Sequence, residues 1–478
     1  MRIRSARLAP GLFAALFVFV IGGCAPDDPS SPTIARNQVP AERVVALGNS
    51  LSAGFTNDAL FLEGQLSGYA NLVARSVSGE DMTLPLIASP GISGTLNTSG
   101  PVPFPQGQRY VTAEGAVEFR QLQDPSDPTS LLLASALPQP YDNLGVPGAF
   151  LFDVANTTSS LESIRPSNLF FDLILRNSAL PPGNTTQLDQ LVALVENGLP
   201  QTKVLIVWVG NNDVLIGTGT GDPVVRSVGG TDGNVTPAAE FQANFDALLT
   251  AIDALDVPQV ALVNIPSVTS IPLATTINGL LAANGLAPSD VTTDEDDVAA
   301  ILLSAQSVLF PGGSIDQDYL TGAKSLPSTF TLTNAEIAAV EAERVGYNNY
   351  LSSAAAARTW AFVDAASLLA SLPLDPSADL NAVYPLVTVP GVGLVQNEGS
   401  GFSLDGVHPS EKGYARIANE VLDALNATYD EAYSTYDVGA VQNTLGFEDF
   451  EGPVAGSGLR VAPAPDAFRD PYTGTGAR

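Results

Sequence analysis

Val44-Val45-Ala46-Leu47-Gly48-Asn49-Ser50-Leu51-Ser52-Ala53-Gly54 is the stretch on which the fold turns: an unbroken apolar run, then a serine among small residues. A short continuous run of this kind, rich in β-branched Val, reads as a strand buried on both faces. Four more such runs follow at 83–87, 204–209, 259–265 and 360–364. Helical patterns lie at 69–77, 188–196, 238–255, 335–357 and 410–427. Alternation of strand and helix predicts an α/β protein whose parallel sheet is sandwiched between helices. Two long segments, 88–141 and 266–333, break the alternation with Gly, Pro, Ser and Thr around apolar patches. Segments of that length in a compact domain are either plain surface loops or the lids and walls of a cleft; we expect the second.

With 478 residues and 45% hydrophobic side chains, the chain can bury a substantial core. After position 23 no apolar run reaches the length of a membrane-spanning helix. Before it, Arg2, Arg4 and Arg7 precede an apolar stretch at 8–21 and then Gly22-Gly23-Cys24, the layout of an export signal. An ordinary cleaved signal peptide fits this layout. So does the lipobox of bacterial lipoproteins, which it resembles, where the cysteine is diacylated on sulfur and holds the protein at a membrane surface. Cys24 is the only cysteine of the chain, which favours the second reading and leaves the exported protein no intramolecular disulfide or cysteine-based zinc site. The expected organisation is a lipoprotein signal at 1–23, a Pro-rich tether at 24–41, a body at 42–436 and a Gly/Pro-rich tail at 437–478. The expected location is the cell envelope, at the outer membrane. A net charge of -30 argues against nucleic-acid partners, which are bound largely through Lys and Arg on phosphates. Only Lys203, Lys324 and Lys412 stand against 50 acids, a bias that suits either high salt or plain solubility.

Four blocks carry candidate chemistry. Ser50 ends the first predicted strand, and in α/β sheets ligands gather at the carboxyl ends of strands; a plain turn is the competing reading. It is not the G-x-S-x-G elbow, because Ser52 occupies the place of the second glycine. Asp405-Gly406-Val407-His408-Pro409 holds the only histidine, the one side chain that ordinarily titrates near neutral pH. Asp405, three residues earlier, can turn back to hold the imidazole by its other nitrogen. Gly210-Asn211-Asn212-Asp213 follows the third predicted strand, where an amide can donate to a developing oxyanion or simply cap a turn. Asn143-Leu144-Gly145-Val146-Pro147-Gly148 is a further Gly-rich turn, in which Gly148 can present an unobstructed backbone N–H.

In order and residue type these blocks resemble the SGNH, or GDSL-type, hydrolases, from about residue 44 to 427 with the two inserts uncovered. The resemblance implies a three-layer α/β/α flavodoxin-like fold and a serine ester hydrolase working through an acyl-enzyme. It implies Ser50 as nucleophile with Asp405 and His408, an oxyanion hole of Ser50, Gly148 and Asn212, and no metal or cofactor. The substrate would be a small-molecule or lipid ester. A glycan O-acyl esterase or acyltransferase, or a surface-binding lipoprotein that keeps only the fold, are the alternatives. One departure is visible: the first block reads Gly48-Asn49-Ser50-Leu51 where the family has Asp in place of Asn49. The acidic run 294–297 lacks the spaced pattern of a calcium loop and reads as a solvated turn.

Overall fold

The computed structural model describes residues 42–446 except 94–106, 112–116, 121–127, 134–139, 165–167, 176–184, 198–199, 312–313, 372–385, 390–392 and 397–398. The expected signal, Cys24, the tether and residues 447–478 lie outside the described residues. Four strands form the central sheet: β1 (Arg43–Gly48), β2 (Thr202–Trp208), β3 (Gln259–Val263) and β4 (Ala361–Val363). They are parallel and lie side by side in chain order, with Val44 opposite Val204, Val204 opposite Gln259 and Ala361 opposite Ala261. Six helices matter to the site: α1 (Tyr69–Ser78), α2 (Gln187–Asn197), α3 (Asn212–Gly219), α4 (Ala238–Asp253), α5 (Asn334–Arg358) and α6 (Glu411–Tyr429). Because side chains alternate along a strand, each strand feeds both faces. Val44 and Ala46 of β1, with Ile206 and Trp208 of β2, pack against α1 and α6. Val45 and Leu47, with Leu205 and Val207, face α2, α4 and α5. The result is the three-layer α/β/α fold expected from the alternation, and the five helices read from sequence have bounds within two residues of those predicted.

The run at 83–87 is a correction: it is not a strand of this sheet. Pro85 has no N–H for a ladder, and the segment instead bonds to 131–133, Ala88 N–H to Leu131 O at 2.7 Å and Leu133 N–H to Leu86 O at 2.9 Å. The outer edge of β1 is taken by residues 142–146, through Ala46 N–H to Asp142 O at 3.0 Å, Leu144 N–H to Ala46 O at 2.8 Å and Val146 N–H to Gly48 O at 3.1 Å. The chain thus leaves β1 on one side and returns across it to β2, which makes the carboxyl end of β1 a topological switch point.

The described part of insert 266–333 builds a small lobe with its own core of Ile277, Leu281, Ile301, Leu309 and Leu326. Its acidic run is used locally: Glu295 accepts from Thr331 Oγ1 at 2.8 Å and Asp297 from Asn334 Nδ2 at 2.8 Å. Residues 437–446 pack on the body because Val441 joins the core beside α6 and the buried Glu411 carboxylate accepts from Thr444 N–H at 2.8 Å and Leu445 N–H at 3.1 Å. Among the described residues no helix is long and apolar enough to cross a membrane.

Candidate active site

Ser50 stands two residues past β1, opening a single helical turn, Ser50–Ala53. Asn49 caps that turn, its Oδ1 accepting from Leu51 N–H at 3.1 Å, while its Nδ2 donates to Asn211 Oδ1 at 3.0 Å. An Asp at position 49 would offer no donor to that oxygen, so the departure from the family pattern is met by an amide partner across the site. Gly145 lies so close to this turn that an added Cβ would sit 2.5 Å from Ala53 N and 2.8 Å from Asn49 O.

Across the carboxyl edge of the sheet, Ser50 Oγ is 2.9 Å from His408 Nε2, and His408 Nδ1 is 3.0 Å from Asp405 Oδ2. Asp405 also accepts at Oδ1 from the Val407 and His408 N–H groups, both at 2.8 Å, and at Oδ2 from Asp58 N–H at 2.8 Å. Burial by itself pushes the Asp405 carboxyl up; the His408 imidazole and the N–H donors outweigh it and hold the group well below the usual carboxylate range. A carboxylate so held can only accept, which assigns the proton of the neutral imidazole to Nδ1 and turns the Nε2 lone pair to Ser50. Ser410 caps α6, its Oγ accepting from Gly413 N–H at 3.3 Å, so the histidine loop ends where the helix begins.

The two halves of this arrangement come from opposite ends of the chain and are clamped by residues 55–58. Asn57 N–H donates to Ser403 Oγ at 3.0 Å and Leu404 N–H to Asn57 Oδ1 at 3.0 Å. Thr56 Oγ1 donates to Pro409 O at 2.9 Å, Tyr414 Oη to Phe55 O at 2.6 Å, and the Phe55 ring packs 4.6 Å from the His408 ring. Asn57 and Asp58 adopt the left-handed conformation, with φ of 50° and 65°. None of the four sequence blocks announces this clamp. Its only trace in sequence is an Asn-Asp pair, the residue types other than Gly that enter that region most readily.

Asn212 opens α3. Its Nδ2 donates to Ala149 O at 2.8 Å, and among the described residues none accepts the second hydrogen of that nitrogen. Gly148, with φ 79°, directly precedes Ala149, so both candidate oxyanion donors belong to one bonded junction. The next residue of the helix, Asp213, reinforces it by accepting from Leu151 N–H at 2.9 Å. Burial pushes the Asp213 carboxyl up to about 7, against the bonds from Leu151 and Thr236 and with Asp153 adding to the rise.

Ser50, Asn212 and His408 all line one cavity. Gly148 is not among the residues that line it. The start of the second insert, 266–268 and Ile271, forms one wall of the cavity, whereas no described residue of 88–141 contributes to it.

No curated protein matches the chain. A solved crystal structure aligns with 82% of this chain and 99% of its own at 12% identity and a TM-score of 0.31, a likeness too slight to bear on the site. The model of the GDSL-like Lipase/Acylhydrolase family matches residues 44–421, from the strand before Ser50 into the helix after His408, and the chain belongs to that family of ester hydrolases and acyltransferases.

Proposed function

We propose that this protein hydrolyses carboxylic esters through an acyl-enzyme on Ser50. The observation that carries the reading is the unbroken relay from Ser50 Oγ to His408 Nε2 at 2.9 Å and from His408 Nδ1 to Asp405 at 3.0 Å. His408 takes the Ser50 proton as Oγ bonds to the acyl carbon, and the anionic Asp405 stabilises the imidazolium without taking its proton. The oxyanion of the tetrahedral intermediate is received by the Ser50 and Gly148 N–H groups and Asn212 Nδ2. His408 then gives its proton to the departing alcohol. Water, deprotonated by the same nitrogen, attacks the acyl carbon, and the acid leaves as Ser50 recovers its proton. A fluorophosphonate probe is expected to label the wild type and not Ser50→Ala; equal labelling of both would refute the nucleophile.

The proposal extends to the N-terminus. The lone cysteine at the end of an apolar export segment supports diacylation of Cys24 and attachment to the cell envelope. Cys24→Ser is expected to move the exported protein from the detergent phase to the aqueous phase. An unmodified thiol on Cys24 of the exported protein, seen by mass spectrometry, would overturn the anchor.

A further inference from the structure

We propose that Asn49 sets the side-chain amide of Asn211 so that its Nδ2 meets the cavity beside Ser50 as a fixed hydrogen-bond donor, and that this donor selects esters carrying an oxygen acceptor close to the reacting carbonyl. The inference rests on Ser50 being the nucleophile and adds to that reading a specificity-determining residue, Asn211, and a positioning residue, Asn49.

The orientation is set by a chain of bonds that begins at a backbone group. Leu51 N–H can only donate, so the atom of Asn49 that meets it at 3.1 Å is the oxygen, Oδ1. The other arm of that amide is therefore the donor Nδ2, and the atom of Asn211 that meets it at 3.0 Å is in turn an oxygen. What remains of Asn211 is Nδ2, with two hydrogens that no described residue accepts. Asn211 is 7% exposed, follows closely on β2 and is among the residues that line the cavity. An Asp at position 49, as in the family pattern, could only accept, and would turn Asn211 the other way with Oδ1 toward the cavity. The departure at Asn49 thus decides whether this wall donates or accepts.

The rest of the wall has no such donor to spare. Trp208 Nε1 donates to Asn264 O at 3.0 Å, and Ser267 Oγ donates to Glu341 Oε1 at 2.8 Å. Ser50, Asn212 and His408 are engaged in the proposed reaction itself. The other lining side chains, among them Val214, Leu215, Ile265, Val268 and Leu369, are apolar. A donor in such surroundings is stripped of most of its water, and a guest that brings it no acceptor leaves it unpaired. An ether, keto or hydroxyl oxygen pairs with it, and a methylene in the same place does not.

The test uses the full chain and pairs of esters that differ by oxygen in place of a methylene: methoxyacetyl against butanoyl on a common aryl leaving group, and methoxyethyl acetate against butyl acetate for the alcohol arm. Each oxygen-to-methylene ratio of kcat/KM is compared between proteins, which cancels the intrinsic reactivity of the esters. Asn211→Ala is expected to lower the ratio by about threefold to tenfold in the series whose arm reaches Asn211, the worth of a neutral hydrogen bond. Asn49→Asp, which leaves Asn211 in place, should lower it at least as much. Asn211→Asp should do so too, since its carboxylate keeps the acceptor for Asn49 and turns the second oxygen to the cavity. With either Asp variant, esters that carry an ammonium group in place of the methoxy group should gain on their uncharged counterparts. A change of shape alone cannot move acceptor and donor substrates in opposite directions. If Asn49→Asp does not fold, Asn211→Asp carries the same reversal. Ratios equal to wild type in variants that still take the fluorophosphonate would overturn the inference and leave Ser50 standing. A uniform fall of kcat on all esters with the ratios unchanged would also overturn it, giving Asn211 a part in the turn or the oxyanion hole instead. Absence of labelling and of all ester turnover in the wild type would refute the hydrolase reading itself.

Discussion

Two carboxylates stand at the carboxyl edge of the sheet, Asp405 in the loop before α6 and Asp213 in α3, and both are withdrawn from water. Asp405 receives three backbone N–H groups and the His408 ring, and it is held as an anion. Asp213 receives the Leu151 N–H and the Thr236 hydroxyl, faces a second buried carboxyl at Asp153, and is pushed up to about 7. Burial is common to both, so burial does not decide their charge. The number of donors and the sign of the neighbour decide it. Where, in the proposed mechanism, the charge stabilises an imidazolium, the loop is wrapped around it; where the carboxyl ties the 149–151 loop to α3, donors are fewer and a proton is tolerated.

The sharpest way to break this contrast is at the relay. His408→Ala is expected to lower kcat by roughly 10⁴ to 10⁶, and Asp405→Asn by about 10⁴, since the amide cannot hold the imidazole in its working orientation. Folded protein, checked by circular dichroism, that keeps wild-type turnover with either change would refute the mechanism. Asn212→Ala removes the proposed oxyanion donor, and kcat should fall by about 10² to 10³ with KM little altered.

A smaller effect is expected at the clamp. Asn57→Ala strands the Leu404 N–H and forces Ala into the left-handed region, for a stability loss of about 1–3 kcal/mol and roughly tenfold in kcat. Asn57→Gly relieves the backbone strain and not the lost bond. If Gly restores kcat to the wild-type value, the bond to Leu404 does not position the Asp405 loop.

The least effect on turnover and the most telling one on pH is expected at Asp213. Its raised value means that the folded state keeps a proton the unfolded chain has released, so stability falls as pH rises from the ordinary Asp range to about 7. Asp405 acts in the opposite sense, contributing stability above the ordinary Asp value that is lost as pH falls below it. Asp213→Asn keeps an acceptor for Leu151 and has no charge to bury. Thermal melts between about pH 5 and about pH 8 should therefore decline less in the variant than in the wild type, by about 1.4 kcal/mol for each factor of ten in proton affinity that the substitution abolishes. Parallel declines would show that Asp213 ionises normally in the folded protein.

What could be read from sequence shares one property: it is local. The apolar run ending at Ser50, the helices read from their periodicity, and Asp405 three residues before His408 each lie within one element or one loop, where spacing dictates geometry. The run at 83–87 misled because apolar composition reports burial and not ladder pairing, and Pro85 withdraws a donor that pairing needs. The strand-like edge at 142–146 was hidden for the converse reason: Asp142, Asn143 and Gly145 are unlike strand residues, and their place beside β1 comes from bonds to Ala46 and Gly48. The clamp of Asn57 on Leu404 spans most of the chain, and the cavity joins Leu215, Ile271, Leu369 and Phe402 from four distant segments. Each of those residues alone is an ordinary apolar or turn residue. Only packing, which brings together positions that no period relates, makes them the walls of a site.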